Sequence, residues 1–128
     1  MNDTVKQAIA DIRATWTDAT VIADPDNDGG ALVLLEPLSI GNLYVQETTW
    51  VGFRITFQYP YADIYPHYVR SDLQRKDGRA LGDGMSGGHA FAGRSAIQIS
   101  RRSNRLNPAT DTAALKLGKV LQWLASHP

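Results

Sequence analysis

Apolar positions follow two different periods along the chain, and the change of period marks out its elements. Between residues 4 and 17, Val5, Ile9, Ile12 and Trp16 recur at steps of four, three and four. That spacing puts them on one face of an α-helix, and Asn2 or Asp3 is placed to cap it. At the other end, Ala114, Leu117, Leu121 and Leu124 recur at steps of three, four and three. They form a second core-facing stripe, predicting a helix from a cap at Thr110 or Asp111 to about Ser126. The middle of the chain keeps a shorter rhythm. Ala31–Leu35 is a continuous apolar run, Leu43–Gln46 is brief, and Val51, Phe53, Ile55 and Phe57 alternate with less apolar neighbours. These runs predict an antiparallel meander, with Val69–Leu73 as a further short strand.

The breaks are equally marked. Asp24-Pro-Asp-Asn-Asp-Gly-Gly30 is a turn through which no helix or strand continues. Its acidic spacing is calcium-like, but the twelfth loop position is Leu35 rather than an acid, which argues against a calcium site. Tyr59-Pro60 through Tyr65-Pro66 reads as extended, because each proline holds its predecessor out of the α region. Residues 78–95 hold six of the eleven glycines, a density that predicts a long irregular loop.

Length and composition narrow the classes. The 128 residues make one domain, 43% hydrophobic, with enough apolar side chains for a core. There is no cysteine, so disulfide scaffolds, Cys-based zinc sites, redox centres and thiol nucleophiles are excluded. The three histidines lack metal-ligand spacing, so no metal is expected, and nothing calls for a cofactor. No run approaches 18 apolar residues and the N-terminus has no signal-peptide pattern, so no membrane association and a cytoplasmic location are expected.

The net charge is zero but unevenly spread. Residues 1–69 carry nine acids and three bases (−6), residues 70–105 eight bases and three acids (+5), and residues 106–128 two bases and one acid (+1). Such blocks mark either a partner-facing surface or locally paired loops. No nucleic-acid partner is expected, because the aromatics cluster at residues 44–68, apart from the basic block.

The order of elements, with two local strings, resembles the ubiquitin-conjugating (UBC) family. Phe53-Arg-Ile-Thr-Phe-Gln-Tyr-Pro60, followed by Ile64-Tyr65-Pro66, is similar to the family's strand ending in Phe-Pro and its Tyr-Pro-x-x-Pro-Pro continuation. Ile97-Gln98-Ile99, then Leu106-Asn107-Pro108-Ala109 and a helix, is similar to the family's Ile-Cys-Leu, Trp-x-Pro-Ala and helix. Nine residues separate Ile97 from Leu106, as in the family. The resemblance implies an α+β, UBC-like fold: N-terminal helix, four-stranded antiparallel meander, long Gly-rich loop and C-terminal helix, in one domain over residues 1–128. The absent second Pro-Pro, Leu106 in place of Trp and the missing C-terminal helices point to a divergent bacterial member. The implied partners are a ubiquitin-like protein and a ThiF-like activating enzyme.

The family's cysteine would align with Gln98, or near Ala96 when counted from Gly93. Neither is a nucleophile, so a thioester is impossible. One reading substitutes a serine and an oxyester: Ser100 and Ser95 are the candidate nucleophiles, with Ser103 farther along, and His89 is the candidate base. Arg94, Arg101 and Arg102 would then hold an oxyanion or the partner's C-terminal tail. A second reading is an inactive adaptor, argued directly from Gln98. A third discards the fold and makes the Gly-rich loop an anion site.

Overall fold

The computed structural model describes residues 1–127. It is an α+β protein with the element order α1 (Asp3–Thr15), β1 (Thr20–Pro25), β2 (Ala31–Ser39), β3 (Thr48–Ile55), β4 (His67–Arg70), β5 (Met85–Phe91), β6 (Arg94–Ile99) and α2 (Ala113–Ser126). The six strands form one antiparallel sheet in the order β1-β2-β3-β4-β6-β5.

Local chemistry sets the helix starts. Asn2 Oδ1 accepts the Val5 N–H at 2.8 Å, and the Asn2 N–H donates to Gly29 O, tying the helix start to the Asp-rich turn. Inside that turn, Asp26 Oδ1 accepts the N–H groups of Asp28 and Gly30, and Oδ2 accepts Arg54 Nε. The acidic string is thus a self-bonded corner. At α2 the cap is Thr112, whose hydroxyl accepts the Leu115 N–H, rather than Thr110 or Asp111. Asp111 closes the preceding turn instead, by accepting the Asn107 N–H.

Register explains how one face of the sheet becomes the core. Leu35 pairs with Val51, Val51 with Val69, and Val69 with Ile97, so a row of buried residues crosses four strands on one side. Val5, Ile9 and Ile12 of α1 and Leu117, Val120 and Leu124 of α2 close over that row, and the two helices touch. The adjacent row, Ile22–Leu34–Gly52–Tyr68–Gln98–Ser86, faces the other way. There Trp50, Tyr68 and Phe91 form a ring cluster with no helix over it.

Three expectations are corrected. The sheet has six strands, not four, because β1 and the β5–β6 hairpin were not legible. And residues 78–95 are not one loop. Ala92 and Gly93 both take positive φ, 50° and 77°, the backbone a two-residue type I′ hairpin turn needs. A bulge between Ser86 and His89 absorbs Gly87 and Gly88. Glycine here serves strand pairing rather than preventing it. Leu43–Gln46, expected as a strand, makes only a single bridge, Tyr44 to Arg75. No helix among the described residues is long and apolar enough to cross a membrane.

Candidate functional site

The structure distributes the sequence-derived residues over three places. On β5, the bulge puts Ser86 and His89 on one side, with Ser86 Oγ 3.2 Å from His89 Nε2. His89 therefore finds its serine partner at a position the sequence reading did not consider. His89 is paired with Ala96 and Ala90 with Ser95, so alternation sends His89 and Ser95 to opposite faces of the hairpin. Ser95 borders an open groove of about 490 Å³ with Thr48, Thr49 and Arg70. Ser100 follows β6. Its N–H donates to Gly84 O, and its hydroxyl accepts Gln98 Nε2 at 3.2 Å. His89 is thus hydrogen-bonded neither to Ser95 nor to Ser100.

Arg94 is engaged within the fold. It makes a bidentate pair with Glu36 (2.8 and 2.9 Å), and its guanidinium lies 5.5 Å from the Trp50 ring centre. That hydrogen-bonded guanidinium holds the Glu36 carboxyl below the usual range. Much of the basic block is neutralised in the same way: Arg70 by Asp72, and Arg75 and Arg79 by Asp77.

Arg101 and Arg102 form no ion pair among the described residues. Arg101 lies over Trp123 at 5.1 Å and Arg102 over Tyr65 at 3.9 Å. With Ser103, Lys116 and Lys119 they line a recess of about 220 Å³ between the segment after β6 and the flank of α2. The acid on its wall, Asp111, is occupied by the Asn107 N–H. The recess is cationic and can hold a carboxylate or another small anion.

At the recess wall lies a cluster the sequence gave little sign of. Asp63 accepts the Ser103 N–H (2.7 Å) and hydroxyl (2.8 Å). Lys116 Nζ lies 2.9 Å from Ser103 Oγ and 3.2 Å from Asp63 Oδ2, and it also donates to Arg101 O at 2.7 Å. Burial pushes the Asp63 pKa up, but the bonds from Ser103 and the Lys116 charge outweigh it, and the net shift is downward. Burial also depresses the Lys116 pKa, with Arg101 and Lys119 adding to the effect and Asp63 opposing it. Forty and more positions separate Asp63 from its partners, so no local motif could announce the cluster. Lys116 shares α2 with Lys119 and Gln122, so its type alone did not set it apart.

His67 is fully buried beside Phe53, and its two ring nitrogens have no hydrogen-bond partner among the described residues. Burial, helped by the Lys116 charge, lowers its pKa to about 3. It is a neutral core residue, and among the described residues no group of acids and histidines is arranged to hold a metal ion. Comparison with family models, curated proteins and solved structures finds no match to this chain.

Proposed function

We propose that this chain is a UBC-like, cysteine-free carrier in a bacterial ubiquitin-like conjugation pathway. It receives the C-terminal acyl group of a ubiquitin-like protein from a ThiF-like activating enzyme and holds it as a serine ester. The element order and the strings around Tyr59-Pro60 and Leu106-Asn107-Pro108 support the family. The observation that carries the role is the cationic recess of Arg101, Arg102, Lys116 and Lys119, which has a serine hydroxyl in its wall. A C-terminal tail needs both things: positive charge for its carbonyl oxygens and a hydroxyl to receive the acyl group.

The adaptor reading also has an observation behind it. Gln98 occupies the aligned cysteine position and spends its amide on Ser100, while His89 is turned to Ser86. On that reading the recess docks the tail without reaction.

Incubation with a ThiF-like activating enzyme, a ubiquitin-like protein and ATP separates the two. A carrier gives an adduct that resists thiol reductant and is cleaved by mild base. A complex without any adduct means an adaptor. Neither complex nor adduct removes both.

A further inference from the structure

We infer that Ser103 is the acyl-accepting nucleophile of this protein, with Asp63 as its proton acceptor and Lys116 as the cation that steadies its oxygen. The inference rests on the carrier reading and names the atoms of its site. Three observations lead to Ser103 rather than to Ser95 or Ser100. Its hydroxyl is the one that touches both an acid and an ammonium: 2.8 Å to Asp63 Oδ1 and 2.9 Å to Lys116 Nζ. Both partners are largely withdrawn from water, with side chains 19% and 10% exposed, so their charges act at low local dielectric. And Ser103 opens onto the recess that Arg101, Arg102 and Lys119 make positive, whereas Ser95 borders a separate groove and Ser100 is held by Gln98.

The hydrogen bonds assign a direction to the chemistry. Ser103 O–H donates to Asp63, and Lys116 N–H donates to Ser103 Oγ. In attack on an acyl thioester, Oγ forms the new C–O bond and the C–S bond breaks. The hydroxyl proton moves to Asp63 Oδ1 and from there to the departing thiolate, the stronger base. An ester and a thiol replace a thioester and an alcohol, with no redox change. Lys116 offsets negative charge as it grows on Oγ, and the arginines face the carbonyl oxygen that becomes an oxyanion. Lys116 is also held by Arg101 O, so the backbone that presents Ser103 and the cation that serves it are fixed to each other. That is the preorganisation a positioned nucleophile requires.

A synthetic peptide benzyl thioester is the probe. The chain has no cysteine, so thiol exchange on the protein contributes no background. Mass spectrometry of the digested full-length protein should place one hydroxylamine-labile acyl group on Ser103. Labelling should fall at least tenfold in Ser103→Ala and in Lys116→Met. Ser103→Cys, which keeps size and position, should label faster and give an adduct that thiol reductant removes. Because any accessible thiol exchanges with a thioester, folded Ser103→Cys should label at least tenfold faster than the same variant unfolded in urea, and equal rates would overturn the assignment. Acylation that persists in Ser103→Ala, maps to Ser86, Ser95 or Ser100, or fails altogether in the folded wild type overturns the assignment. The two readings fail separately. An ester formed with the natural partners on another serine leaves the carrier and removes Ser103. Acylation of Ser103 by the probe, with no natural adduct, keeps the nucleophile and removes the carrier.

Discussion

The Tyr44 hydroxyl donates a 2.9 Å hydrogen bond to the backbone carbonyl of Leu124, across eighty positions of sequence. Tyr44 is 1% exposed, and Leu124 lies in the last turns of α2, so the bond fastens the irregular segment between β2 and β3 to the C-terminal helix. Tyr44→Phe keeps the ring and removes the donor, leaving the Leu124 carbonyl with only the long bond from the His127 N–H, 3.5 Å. The expected loss is about 1–2 kcal/mol. It should be read as a lower urea midpoint with an unchanged slope.

His67 predicts how stability follows pH. Its pKa in the folded protein, about 3, lies below the ordinary 6.5, so the unfolded chain binds the proton more readily. Its stabilising contribution is therefore complete above pH 6.5 and is lost as pH falls towards 3, at up to about 1.4 kcal/mol per unit. Asp63, with its own pKa lowered, adds a loss in the same direction below its ordinary 3.8. Urea titrations from pH 7 to 4 should show the slope, and His67→Leu should flatten it. A slope that survives in His67→Leu would place its origin elsewhere.

Gly52 lies under the Phe91 ring, and a Cβ added there would collide with the ring atoms. Since Phe91 also stacks on Tyr68, Gly52→Ala must displace the outer-face cluster or strain β3. Overpacking of this kind costs about 1–3 kcal/mol. Thermal melts measure the cost, and near-ultraviolet dichroism should report the disturbed Trp50 and Tyr68.

Asp63 and Lys116 should be strongly coupled. Asp63→Asn leaves Lys116 charged, buried and without its counter-ion, for a loss of about 3 kcal/mol. The Asp63→Asn, Lys116→Met double variant should be less damaged than the sum of the single ones, because neither charge is then left alone. Simple additivity in denaturant unfolding would show that the pair is not an energetic unit.

The two helices were legible because α1 and α2 each repeat apolar residues at helical steps and start at side-chain caps. β3 was legible through Val51, Phe53 and Ile55. β1 was not: its inward Val21 and Ala23 are only half-buried, and Ile22 beside them is apolar but exposed, so the alternation is lost. The β5–β6 hairpin was hidden because its glycines read as loop, whereas they build a turn and a bulge. Arg101 and Arg102 were found from charge and share a recess. The Asp63–Ser103–Lys116 cluster was not found, since it exists only once the Tyr-Pro stretch, the segment after β6 and α2 are folded together. Ser86, the actual partner of His89, depends on the bulge for its side of the strand.

That bulge has a consequence for how molecules of this protein meet one another. An open six-stranded sheet has two borders, here β1 and β5, and a straight border is a template for strands from neighbouring chains. On β5 the register breaks between Ser86 and His89, while on β1 Pro25 has no N–H to offer at the strand's end. The bulge divides the β5 border in two, and the proline shortens the β1 border at one end, so each offers a shorter template to a neighbouring strand.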